Sequence, residues 1–233
     1  MILKTIGLLL LAGLGLWGVI KWIASTPRLM TNVKACRGEW AEARLRGCEK
    51  GIGFTGVPVE PFNTYSNLAY LAAGWILYQI TGTPASLILA LALTLLCLGS
   101  AIYHGTKTMW GARLDHAGMY AVFGALAVYG VAPQHPAIHW VMAGVAFAGG
   151  VGFAFVVPGD LSARMGLLLG LMSVRAFLLG TPHLAGVSLG LFVLAFGTWL
   201  LDKKTVLLTR FGHAIWHALT AGAITTMFSA LTE

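Results

Sequence analysis

Residues 85–106 read ASLILALALTLLCLGSAIYHGT, and this stretch decides the fold class of the chain. It contains no Asp, Glu, Lys or Arg, and it has the length of about 20 residues that a membrane-spanning helix needs. Because the interior of a bilayer offers the backbone no hydrogen-bond partner, helices are the natural spanning elements. The stretch therefore predicts a transmembrane helix whose last turns carry two polar side chains, Ser100 and His104.

Apolar stretches of similar length lie on both sides of this segment. They cover 5–25, 62–82, 114–132, 137–157, 161–180, 184–201 and 211–231, and turn or charge signals separate them, such as the segment 107–113. The pattern predicts an all-α polytopic membrane protein. We expect a seven-helix transmembrane bundle over residues 62–233, preceded by one extra N-terminal transmembrane helix and a basic linker over residues 26–61.

Composition agrees with a membrane protein. Hydrophobic residues make up 58% of the 233-residue chain and charged residues only 10%, whereas soluble domains carry about 25% charged residues. This excludes a water-soluble globule. The net charge of +7 is interpreted as membrane topology and not as a nucleic-acid partner, because positively charged loops stay in the cytoplasm.

The loop charges also predict an orientation. With eight spans, twelve of the fifteen lysines and arginines, including Lys107 and Arg113, fall on one side of the membrane, and only Lys4 falls on the other. Of the remaining two, Lys21 lies near the basic end of its helix, and Arg175 lies inside a span and needs a partner or an anionic ligand. We therefore expect the basic loops on the cytoplasmic side. The short connections favour a bacterial inner membrane, with an organelle membrane as the alternative.

The first segment, residues 1–25, has two interpretations. Lys4 followed by an apolar run is typical of a signal peptide. No clean small-x-small cleavage pattern follows it, which favours a retained helix or signal anchor.

Ionisable residues inside spans are costly, so they are candidates for function. Ser100 and His104 are four residues apart near the end of one span, and Asp115 and His116 open the next. His213 and His217 are four apart at the start of the last span, and this spacing puts both side chains on one helical face. Since all these span ends lie on the basic side, the residues are expected in one layer.

Three histidines converging in such a layer predict a metal site. Imidazole suits zinc, and a hydrolytic zinc keeps one position open for water, so we assign His104, His213 and His217 as ligands. Asp115 is then the candidate base, and Ser100 the candidate for holding an oxyanion or a ligand water. Simpler alternatives are helix-bridging histidines and an Asp115 that caps its helix or pairs with Arg113. His116 is either an outer group or an alternative ligand.

Several polar residues precede or open the second span. Glu60, Asn63 and Asn67 are expected to cap this helix or to help order the metal site.

These residues resemble a known family. The spacing Ser100-x3-His104-x10-Asp115, followed by His213-Ala-Ile-Trp-His217, resembles the alkaline ceramidases, which belong to a superfamily of seven-helix membrane hydrolases with the adiponectin-receptor and Per1-like proteins. The segment 60–68, EPFNTYSNL, is similar to the ceramidase signature that opens the first core helix. The resemblance runs from Cys48 to the C-terminus.

The resemblance implies a zinc ion held by His104, His213 and His217, with Ser100 and Asp115 as catalytic partners. The implied reaction is hydrolysis of the amide bond of ceramide, a membrane lipid, to a sphingoid base and a fatty acid. Alternatives are another N-acyl lipid as substrate, a Per1-like lipid esterase or phospholipase, and a non-enzymatic receptor-like or transport protein with a structural zinc.

The family also binds calcium through an acidic motif before its first core helix. Here Cys48, Glu49 and Glu60 match that motif. Arg46, Gly47 and Gly51 occupy positions where it has Asp, Trp and Asn. Calcium prefers several oxygen ligands, so two carboxylates beside an arginine are expected to bind calcium weakly or not at all.

Overall fold

A computed structural model describes residues 2–26, 58–131, 181–204 and 211–232, together with a few positions between 141 and 152. Nearly all of these residues are helical, so the described part of the chain is all-α. Most of the predicted span 137–157 and all of the span 161–180 lie outside the described residues, as does most of the linker over 26–61.

The described residues form six long helices and one short helix that precedes a turn. Their bounds are α1 Ile2–Ser25, α2 Pro61–Ser66, α3 Leu68–Thr81, α4 Pro84–Thr106, α5 Met109–Val131, α6 Pro182–Lys204 and α7 Gly212–Thr232. By length and composition, Pro84–Thr106, Pro182–Asp202 and Gly212–Leu231 are apolar enough to cross a membrane. The predicted span 62–82 is divided into α2 and α3 at Asn67.

Local sequence explains where α4 begins and ends. Thr83 caps its start by accepting a hydrogen bond from the Ser86 N–H, and Pro84 occupies the first turn, where a missing N–H costs nothing. Lys107 ends the helix in the left-handed conformation, at φ +55°. The end of α4 is therefore set by a lysine at a position that glycine usually occupies.

The connection from α4 to α5 is shorter than the sequence suggests. Segment 107–113 is expected to be a loop, but α5 begins at Met109. The reason is Thr108, whose hydroxyl accepts a hydrogen bond from the Gly111 N–H at 3.3 Å and so caps the new helix. Asp115 consequently lies in the second turn of α5 and not at its start.

α4 and α5 pack with their backbones in contact. A methyl group added at Gly99 would lie 2.5 Å from the carbonyl of Leu114, and one added at Gly118 would overlap the backbone of Leu96. Small residues allow such close approach between membrane helices. The two glycines thus bring Ser100 on α4 opposite Asp115 on α5.

The N-terminal helix packs against α3 and α4. Leu16, Ile20 and Ile23 are buried, and their spacing places them on one face of α1. A methyl group at Gly105 would lie 2.8 Å from Ile20 Cδ1, so α1 contacts α4 beside His104.

The helices bring corresponding ends to one layer. α4 ends in this layer, whereas α2, α3, α5 and α7 begin in it. The Lys204 end of α6 also lies in this layer, because Asp202 is beside Gly212 at the start of α7. This agrees with the expectation that the polar groups share one depth.

Candidate metal centre

Three buried histidines form the centre of this layer. His104 comes from the end of α4, and His213 and His217 come from the first two turns of α7. Their exposed fractions are 1%, 5% and 2%, and one ring nitrogen of each lies within 4.8 Å of those of the others. The Nε2 atoms of His104 and His213 are 3.1 Å apart. The three histidines therefore could hold a metal ion.

Glu60 orients the ring of His104. Its carboxylate contacts His104 Nδ1, which leaves Nε2 directed toward the other imidazoles. The backbone fixes this contact, because the N–H groups of Val59 and Glu60 donate to the carbonyls of Gly105 and His104 at 3.0 and 3.1 Å. A carboxylate that accepts the distal N–H of a histidine is the usual outer partner of a metal ligand.

Lys107 and Asn63 complete the surroundings of the Glu60 carboxylate. Lys107 Nζ lies 2.8 Å from Glu60 Oε1, and Asn63 Nδ2 donates to Oε2 at 3.2 Å. Burial by itself raises the pKa of Glu60, but the charge of Lys107 and the imidazole of His104 outweigh it and lower the pKa to about 2. Glu60 is therefore a carboxylate at neutral pH.

Ser66 orients the ring of His217. Its hydroxyl lies 2.7 Å from His217 Nδ1 and 3.1 Å from the carbonyl of Asn63. A hydroxyl has one proton, so if Ser66 donates it to Asn63, His217 Nδ1–H donates to Ser66. That tautomer leaves His217 Nε2 with a free lone pair, as a metal ligand requires.

Further hydrogen bonds join the same elements. Asn67 Nδ2 donates to the carbonyl of Asn63 at 2.7 Å, and the hydroxyls of Tyr70 and Thr220 are 2.6 Å apart between α3 and α7. Asn63 and Asn67 thus help to order the region around the histidines. The side chain of Glu60 makes no cap of α2, because its oxygens face His104 and Lys107.

Ser100 and Asp115 form a second polar pair beside the histidines. Their side chains are hydrogen-bonded across the α4–α5 contact. Ser100 lies one turn before His104 on the same helix, a rise of about 6 Å. The structure therefore brings the two predicted catalytic residues together, at the histidine end of α4.

Other predicted residues stand apart from this arrangement. In the described part of the chain, His116 is not a member of the histidine group. Glu49 lies outside the described residues, and so do Cys48, Arg46, Gly47 and Gly51 of the calcium-like motif.

The sequence did not assign two residues that the structure places at the site. The loop charges place Lys107 in a basic loop, but its side chain is buried against Glu60. Its position three residues after His104, at the end of the same helix, is the available signal. Ser66 lies within the polar segment 60–67, yet only contact with His217 on a distant helix reveals its role.

No family model matches this chain, and no curated protein matches it either. The physical description of the site therefore rests on its own geometry: a buried group of three imidazoles, two of which are oriented by hydrogen bonds, beside a serine–aspartate pair.

Proposed function

We propose that the chain is a zinc-dependent integral-membrane amidohydrolase that cleaves the amide bond of ceramide or a related N-acyl lipid. The products are a sphingoid base or another amine lipid and a fatty acid. The observation that carries the proposal is the buried histidine group with the Ser100–Asp115 pair one helical turn away. The choice of lipid comes from the resemblance of segment 60–68 and of the Ser-His-Asp and His-His spacings to the alkaline ceramidases.

The residues present fit zinc. A tetrahedral zinc with nitrogen ligands at about 2.0–2.1 Å places those nitrogens about 3.3 Å apart. The Nε2 atoms of His104 and His213 are 3.1 Å apart. In the described part of the chain the group has three members, as in hydrolytic sites, whereas a structural zinc usually has four protein ligands. Zinc in such a site polarises a carbonyl group and lowers the pKa of water to about 7.

The proposed reaction adds water across the amide C–N bond. Asp115 accepts a proton from the attacking water, whose oxygen bonds to the carbonyl carbon. When the C–N bond breaks, Asp115 returns the proton to the departing nitrogen. Ser100 holds the Asp115 carboxylate through their hydrogen bond and can turn its hydroxyl toward the developing oxyanion.

The apolar exterior suits a lipid substrate. Exposed large apolar side chains lie on α1, α3, α4, α6 and α7, for example Leu14, Ile80, Leu98, Val193 and Ile215. We propose that the lipid enters from the bilayer and that the site lies near the cytoplasmic end of the bundle, in a bacterial inner membrane.

The decisive experiment compares Asp115→Asn with the native chain, using purified protein and a panel of ceramides, N-acyl-serine lipids and phospholipids. We expect the native protein to bind one zinc and hydrolyse an N-acyl lipid. Asp115→Asn should keep its zinc but lose turnover by about 10²–10⁴-fold. His183→Ala, exposed at the far end of α6, serves as the control with unchanged zinc and turnover.

Each other result contradicts part of the proposal. Unchanged turnover in Asp115→Asn removes that residue from catalysis. Preference for phospholipids indicates the esterase alternative. Stoichiometric zinc without hydrolysis of any lipid in the panel indicates a structural metal in a non-enzymatic protein.

A further inference from the structure

The side chain of Lys107 is an ammonium inside the protein, next to the histidine group. Only 5% of the residue is exposed. Its Nζ lies 2.8 Å from Glu60 Oε1 and 4.4 Å from the centre of the Tyr103 ring. The other oxygen of Glu60 contacts His104. Ammonium, carboxylate and imidazole thus form one buried chain that ends at a candidate metal ligand.

The backbone of Lys107 does not explain the choice of lysine. Its N–H donates to the carbonyl of Tyr103 at 2.7 Å and so ends α4, with φ at +55°. Glycine performs this role at lower conformational cost, because a Cβ atom is strained in the left-handed region. A lysine at such a position, with its charge buried, is accounted for by what its side chain does.

The side chain fixes the Glu60 carboxylate. A buried carboxylate is stable only when it is paired and hydrogen-bonded, and Lys107, Asn63 and His104 together occupy its two oxygens. Without Lys107, Oε1 would lose its charged partner inside the protein. Glu60 would then turn toward another donor, and His104 would lose the group that sets its ring orientation.

We infer that Lys107 is a positioning residue of the metal site, which acts through Glu60 on His104. The inference rests on the proposed function only in taking zinc as the metal. It predicts a change in zinc affinity in the direction opposite to the one expected from charge repulsion alone. Removing a positive charge near a metal cation tightens metal binding if repulsion is all that matters, whereas loss of a positioning residue weakens it.

The experiment measures zinc affinity by competition with a chromophoric chelator, without any lipid. It uses the full chain, Lys107→Met, Glu60→Gln, the double variant, and Arg113→Met as the control. Arg113 is a basic residue near the same end of the bundle, but its side chain is exposed. Methionine keeps most of the apolar stem of lysine and removes the ammonium group, that is, its charge and its hydrogen-bond donors.

We expect Lys107→Met to weaken zinc binding by about 10–100-fold, the usual effect of losing an outer partner of a ligand. Arg113→Met should stay within about twofold of the native affinity, as expected for an exposed charge. The double variant should have the same zinc affinity as Glu60→Gln, because Lys107 affects His104 only through the Glu60 carboxylate, which both variants lack. In the cobalt-substituted protein, the visible absorption of Lys107→Met should change while that of Arg113→Met does not.

Unchanged or tighter zinc binding by Lys107→Met overturns the inference. A double variant whose fold-loss of zinc affinity equals the product of the two single fold-losses also overturns it. If Lys107→Met does not fold, the comparison of Glu60→Gln with the double variant decides, since neither buries an unpaired carboxylate. Equal affinities support the inference, and a further tenfold loss in the double variant overturns it.

The outcome is separable from that of the proposed function. A native chain that binds zinc and shows the expected pattern, but hydrolyses no lipid, upholds the inference and rejects the amidohydrolase. If the native chain hydrolyses lipid and Lys107→Met binds zinc with native affinity, the amidohydrolase is supported and the inference is rejected.

Discussion

At the scale of single residues, two of the three imidazoles are oriented by a contact to the ring nitrogen that faces away from the histidine group. Glu60 contacts His104 Nδ1, and Ser66 Oγ lies 2.7 Å from His217 Nδ1. Both partners come from one short segment at the start of the core. Fixing the distal nitrogen sets the tautomer and the ring orientation before any metal binds, which lowers the cost of assembling the site.

Replacement of Ser66 tests this pre-organisation. Ser66→Ala removes the acceptor of the His217 Nδ1–H, so we expect zinc affinity to fall by about tenfold. The control is Ser229→Ala, whose hydroxyl bonds back to its own helix at Thr225 near the far end of α7. Competition with a chelator measures both. Native affinity in Ser66→Ala would show that the serine does not orient the ligand.

The residue pattern predicted part of this site. A spacing of four residues is enough to place His213 and His217 on one face, and it also aligns Ser100 with His104. The roles of Ser66 and Lys107 could not be predicted, because each depends on a partner far along the chain. Ser66 and His217 are separated by 151 positions.

At the scale of elements, the contact between α4 and α5 places the serine–aspartate pair. Gly99 and Gly118 let the two backbones touch, and Ser100 follows Gly99 directly. Interhelical distance at this point therefore controls whether the hydroxyl of Ser100 reaches Asp115.

Gly99→Ala should separate the helices. A methyl group there would lie 2.5 Å from the Leu114 carbonyl and 2.7 Å from the Asp115 nitrogen, and neither backbone atom can move alone. We expect a destabilisation of about 1–3 kcal/mol from overpacking, with reduced turnover. Thermal unfolding in detergent, followed by circular dichroism, measures the stability.

The control is Gly197→Ala on α6, which meets nothing within 4 Å. Because alanine favours helix over glycine, that variant should be neutral or slightly more stable. Equal melting temperatures for Gly99→Ala and the native chain would show that α4 and α5 can adjust without cost.

The sequence located most of these elements but not all of their ends. Long apolar runs predicted α4, α6 and α7 within a few residues, because burial in lipid demands that length. The start of α5 was misplaced, since the charged segment 107–113 resembles a loop. The Thr108 cap and the left-handed Lys107 make the turn much tighter than its composition suggests.

At the scale of the whole molecule, the described helices bring their polar ends to one side. The His183 end of α6 lies at the opposite side, because α6 runs antiparallel to α7 and the Thr181 N–H donates to the Ala230 carbonyl. The sequence predicted this common depth from the ends of the spans. The charge count then predicts that the side with the histidines faces the cytoplasm.

Labelling with a membrane-impermeant maleimide tests this orientation. In a background with Cys36, Cys48 and Cys97 replaced, Arg113→Cys should react only when the cytoplasmic face is accessible. His183→Cys should react in sealed membranes that expose only the opposite face. Both side chains are exposed. The reverse labelling pattern would place the histidine group on the outer side.

The histidine group also constrains how the protein is made, since 109 residues separate His104 from His213. During translation, Glu60, His104 and Lys107 are all synthesised well before α7. A nascent chain at that stage contains only one of the three histidines, His104. The three imidazoles can meet only after α7 has been synthesised, so a metal ion held by all three would mark a chain in which the histidine group has assembled.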